Sequence, residues 1–131
     1  MRAITSPANV SRAGLWFGLF GGGIAWTFHL LSAYAAAEFG CVGGLGEHRY
    51  WNVSFVAWME LALTALAVLV AAVATVVAYR MLRRLQSSTH EATAEGDAER
   101  YTARAGLLTS GIFTFVILFE SIPILFYLRN C

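Results

Sequence analysis

Three long apolar runs, Leu15 to Phe39, Val53 to Tyr79 and Ala105 to Leu128, constrain this chain more than any motif does. None contains lysine or arginine, and each exceeds the roughly 20 residues that cross about 30 Å of hydrocarbon as a helix. The bilayer core offers no water to backbone N–H and C=O groups, so each run must close its hydrogen bonds internally. The expected fold class is an all-α membrane protein of three transmembrane helices, at about 14–39, 52–80 and 104–128. These runs leave no room in 131 residues for a separate soluble domain, so residues 1–131 are read as one three-helix domain.

The arginines set the orientation, since the chain has no lysine. Arg2 and Arg12 precede the first run, and Arg80, Arg83, Arg84, Arg100 and Arg104 lie between the second and third. Only Arg49 and Arg129 fall on the other side. Seven against two places the N-terminus and second loop in the cytoplasm, with the first loop and C-terminus periplasmic, in a bacterial inner membrane. A cleaved signal is not expected. The first run is longer than a signal core of about 7–15 residues, and Glu38, three before Cys41, suits a lipoprotein signal badly.

Cys41 ends the first run and Cys131 ends the chain beyond the third, so both reach the outer surface by independent topological arguments. That side is oxidising in a bacterium, which favours a Cys41–Cys131 disulfide over two free thiols. In the outer loop Tyr50 and Trp51 are placed as interfacial anchors, and His48 is read as solvated. The sequon at Asn52 abuts the membrane and is discounted. The inner loop mixes both charges with Ser, Thr and Ala and is read as solvated and partly helical; His90 there is a surface histidine.

Small residues repeat along one side of the first two runs. Gly14, Gly18 and Gly22 fall at intervals of four, a doubled G-x-x-x-G stripe that admits close helix packing. Ala25, His29, Ser32, Ala33 and Ala36 continue that face, while Trp16, Phe20, Ile24 and Leu31 point to lipid. In the second run Ala57, Glu60, Thr64, Ala67, Ala71, Ala74 and Ala78 share a face. In the third, Gly106, Ser110, Phe113, Ile117, Glu120 and Tyr127 do so, and Pro123 cannot give an N–H to Phe119, so a kink or loosening is expected beside Glu120. The stripe and the Glu60 face together are expected to exceed what one bundle can bury.

Helix rise puts His29 about 15 Å below Phe39, Glu60 about 12 Å below Asn52 and Glu120 about 10 Å below Tyr127. The three form an expected buried polar cluster in the outer half of the membrane. Intramembrane ionisable groups are paired or functional because each costs roughly 2.5–3.5 kcal/mol on insertion scales. Tying helices to one another or to a partner subunit is the leading reading. A proton-conducting or quinone-contacting site uses the same groups, and His29 can ligate the iron of a haem or the magnesium of a chlorophyll. A metal site is disfavoured because the Glu-x-x-His pairing of di-iron bundles is missing. No nucleophile–base pair, phosphate loop or dinucleotide fingerprint appears, so no catalysis by the chain alone is expected. Topology accounts for the arginines, which leaves none to suggest nucleic acid.

The stretch "GLFGGGIAWTFHLLSAY" followed by Cys41, with "AGLLTSGIFTFVILFESIPILFYLRNC" at the end, resembles small three-helix proteins encoded beside bacterial haem-copper cytochrome c oxidases and related respiratory complexes. The likeness covers the first and third runs and both cysteines, with little in the second run or the loops. Its most specific parts are the W-x-x-H of Trp26 and His29 and the terminal cysteine after a Pro-containing helix. It implies an accessory subunit of a respiratory membrane complex, with other membrane subunits and lipid as partners and no cofactor of its own. The alternative is a small membrane protein that binds a quinone, haem or chlorophyll through the His29 region.

Overall fold

The computed structural model describes residues 11–87 and 94–131. It is an all-helical bundle of three long helices, α1 (Arg12–Ala35), α2 (Phe55–Ser87) and α3 (Ala94–Arg129), each packed against the other two. All three are long and apolar enough to cross a membrane. His90 lies outside the described residues.

The helix ends follow local chemistry. Ser11 caps α1, its hydroxyl accepting the Gly14 N–H at 3.3 Å. Beyond Ala35 the helix widens into a π-helical turn, Ala36–Cys41. A 3-10 turn, Leu45–Glu47, then leads into a two-stranded hairpin, β1 (Arg49–Tyr50) against β2 (Val53–Ser54). Trp51 and Asn52 turn the hairpin with positive φ at both positions, as a two-residue loop of right-handed twist requires. Trp51 meets Trp58 edge to face at 6.0 Å, an aromatic pair at the outer end of the bundle.

α2 and α3 run further than the apolar stretches, to Ser87 and from Ala94, so most of the described inner connection is helix. Good helix formers continue past the apolar limit there, and Leu15, Leu85 and Ala103 form a small core that holds the extensions together. At about 1.5 Å per residue the 36 residues of α3 span about 54 Å, well beyond the hydrocarbon. α3 also continues without a break through Pro123, where a loosened turn was expected.

Between the helices the core is made largely of small residues. Ala25, Ala67, Ala71 and Ile117 form its middle, and Ala36, Val56, Ala57 and Leu128 its outer end. Large apolar side chains instead cover the outside: Trp16, Phe20, Ile24 and Leu31 on α1, Leu66, Leu69, Val73 and Val76 on α2, Phe115, Phe119 and Phe126 on α3. That inversion of a water-soluble protein's pattern suits helices that meet lipid outside and one another at close range inside.

Candidate functional site: the buried polar tie and the Glu120 groove

The glycine stripe sets how closely the helices approach. A Cβ on Gly18 would stand 3.0 Å from the Ala78 Cβ, and one on Gly14 2.7 Å from the end of Met81, so these two face α2. Gly22 faces α3, where a Cβ would come within 2.6 Å of the Ser110 Cα. A Cβ on Gly106 would press on the Gly18 carbonyl carbon at 2.9 Å, a backbone atom that cannot swing aside. Ser110 seals this contact from both directions, donating to the Gly18 carbonyl at 2.7 Å and accepting the Gly22 N–H at 3.3 Å. The stripe is therefore internal. The expected surplus of small-residue surface is absent, because the three faces satisfy one another within one bundle.

This close approach places His29 of α1 fully buried among the three helices. Its Nε2 stands 2.9 Å from Thr64 Oγ1 of α2, 3.3 Å from Glu60 Oε1 one turn earlier on α2, and 3.3 Å from Ser121 Oγ of α3. Ser121 gives its own proton to the Ile117 carbonyl, so it can only accept from His29. Nδ1 and both Glu60 oxygens are buried without a hydrogen bond, the contact to Glu60 being one of proximity. His29 Nε2 thus lies within 3.3 Å of one oxygen from each of three side chains and links all three helices.

Glu120 is placed elsewhere. It precedes Ser121 by one residue, a rotation of about 100° that carries its side chain out of the centre. The expected three-group cluster is thereby divided: His29 and Glu60 meet, while Glu120 is half-buried at the edge and accepts the Trp26 indole N–H at 2.9 Å. Trp26 in turn packs on Phe113, ring centroids 5.4 Å apart. The core face of α3 is correspondingly shifted from expectation: Ser121 and Leu128 are buried, and Tyr127 is 66% exposed. Glu120 lines a groove of about 670 Å³ between α1 and α3.

The end of the bundle that carries the hairpin and the C-terminus is closed covalently. Cys41 and Cys131 form a disulfide, Cα atoms 5.5 Å apart, that joins the π-helical turn to the C-terminus. Ser54 works beside it, accepting the Ala57 N–H at the start of α2 and donating to the Leu128 carbonyl at the end of α3. One hydroxyl satisfies orphan groups of two helix ends. Gly46 lies under this junction, where a Cβ would meet the Cys131 carbonyl oxygen at 2.8 Å.

Sequence reasoning put Thr64 on the right face without seeing it as the nearest partner of His29. It missed Ser121, and it read Trp26 as part of a motif but not as the donor to Glu120. The Thr64 signal is its spacing of four from Glu60; nothing in the sequence singles out Ser121 from the other small polar residues of α3. Among the described residues no group of three His, Cys, Asp or Glu side chains could hold a metal ion, and His48 is exposed on the outer loop. No protein-family model, curated protein or solved structure matches the chain.

Proposed function

We propose that this chain is an accessory subunit of a larger bacterial respiratory membrane complex, associated with a haem-copper cytochrome c oxidase, and performs no catalysis alone. The observation that carries this reading is the enclosure of His29. The residue best suited to chemistry is occupied on Nε2 by Thr64, Glu60 and Ser121 and has no exposed surface. With the whole ring enclosed, a haem or chlorophyll could reach either nitrogen only by parting the helices. The respiratory assignment itself rests on the resemblance of the first and third helices and both cysteines.

The chain sits in the inner membrane with its N-terminus cytoplasmic and its C-terminus periplasmic. Two independent markers support that orientation. The disulfide lies at the arginine-poor end of the bundle, with Arg49 and Arg129, while the other described arginines cluster at the opposite end. Purification of the tagged full chain in mild detergent tests the reading. Co-migration with oxidase subunits on a native gel is the expected result. Migration apart from an intact oxidase counts against it, and an isolated chain carrying a haem or chlorophyll absorption band would favour the alternative.

A further inference from the structure

We propose that the groove between α1 and α3 seats a transmembrane helix of another subunit, and that this helix presents an arginine or lysine to the Glu120 carboxylate. The proposal rests on the subunit reading above and names the face of attachment. Ala33 and Ala37, four residues apart, lie buried and half-buried in the groove, while Tyr34 and Tyr127 stand exposed at its sides. A low strip between tall side chains is the relief into which a helix ridge packs.

Charge identifies the occupant. Glu120 has one oxygen engaged by Trp26, and among the described residues no ion pair reaches it. His29 interacts with it electrostatically but is engaged at short range by Glu60. An acid at this depth is costly without a counter-charge. A second copy of the chain cannot supply one, because the three apolar runs contain no lysine or arginine and His29 is enclosed. Two copies meeting here would bring carboxylate to carboxylate. Lipid headgroup cations are held at the surface, about 10 Å from Glu120 along the helix. A basic residue on a membrane-spanning helix of a different chain meets both the shape and the charge.

A photo-crosslinking amino acid in place of Tyr34, in the full chain in native membranes, tests this, with the same group at Val73 on the lipid-facing side of α2 as control. The expected Tyr34 product is a peptide from a membrane-spanning helix of another chain that contains arginine or lysine. Its yield should fall about tenfold or more in Glu120→Gln, as expected for truncating one partner of a buried charge pair. Yield at Val73 should not change. Glutamine still accepts from Trp26, and a disulfide that stays closed to alkylation in the variant certifies the fold. A second, steric variant, Ala37→Phe, should lower the yield with the charge intact. Capture of a second copy, of a lipid or a quinol, or of a helix without a basic residue overturns the proposal, as does an unchanged yield in Glu120→Gln. If the chain co-migrates with the oxidase while Tyr34 captures only lipid, the groove assignment fails alone. If Tyr34 captures a basic helix from a non-respiratory complex, the respiratory assignment fails alone.

Discussion

Glu60 and Glu120 are the same side chain at about the same depth in the membrane, yet the bundle treats them oppositely. Glu60 points into the three-helix centre, has no exposed surface and faces His29. Glu120 stands half-buried at the rim, bonded to Trp26 and open to a groove. Depth is read directly from position in an apolar run. Rotation about the helix axis is not, and here it is fixed by where the glycines allow the backbones to touch. Membership of an interior cluster therefore depends on packing at Gly18, Gly22, Gly106 and Ser110 as much as on the acids themselves.

The largest expected effect tests the interior member of the pair. His29→Leu removes the side chain on which Thr64, Glu60 and Ser121 converge and leaves all three sealed around an apolar group. Leaving a buried polar group without its partner costs about 1–3 kcal/mol, and with more than one stranded here the loss should be the largest, to be read from reversible unfolding in mixed detergent micelles. Insertion should be unaffected, since leucine is favourable in lipid. The double variant His29→Leu with Glu60→Leu should recover most of the loss, because replacing a buried pair by apolar residues is often neutral. A single variant as stable as the parent would remove His29 from the role of helix tie.

The disulfide gives the next effect and sharpens the contrast between centre and rim. Cys131→Ser opens a crosslink that joins residues 90 apart and should cost about 2–4 kcal/mol. Its influence should concentrate at the outer end, where Leu128, Val56 and Ala36 pack together, so hydrogen exchange should quicken there before it does around His29. Intact mass under non-reducing conditions gives the parent state. Two alkylatable thiols in freshly isolated membranes would show that the crosslink does not form in the cell.

Much of this was legible in the residues, for physical reasons that also mark the limit. Apolar length without cations specifies three spans, because lipid forbids other backbone arrangements. The faces of α1 and α2 were readable, because their small residues recur at three and four over many turns and only one rotation buries them all. On α3 the small residues are sparse, so Glu120 and Ser121 compete for one inward position and the sequence alone does not choose. The hairpin at Trp51 and Asn52 escaped notice because its turn lacks the Asn-Gly signal that announces such loops. The extensions of α2 and α3 were foreseen only as a partly helical loop, because their polarity gives no face to bury until Leu85 and Ala103 are seen to pack on Leu15.

A smaller effect is expected for Glu60→Gln. The amide keeps an acceptor near His29 Nε2 and adds a donor that the carboxylate lacks, so the loss should be about 1 kcal/mol, close to one ordinary hydrogen bond. The same unfolding assay applies, and a loss as large as that of His29→Leu would mean that the charge on Glu60, and not its shape, holds the pair.

Glu120→Gln should give the smallest effect on the isolated chain. Its oxygen can still receive the Trp26 indole N–H, and its half-buried position at the groove exposes no sealed charge when it changes. A change below about 0.5 kcal/mol is expected, since the partner donor remains satisfied and nothing in the core moves. Glu120→Ala separates the two roles of this side chain. It strands the indole N–H and should cost about 1 kcal/mol, with a change in tryptophan emission that the glutamine variant does not show. If Glu120→Gln instead destabilises the isolated bundle as strongly as His29→Leu, the rim acid belongs to the core electrostatically, and the division between the two glutamates is wrong. If it is silent in the isolated chain but releases the partner helix from native membranes, the two acids hold different things: one its own bundle, the other a neighbour.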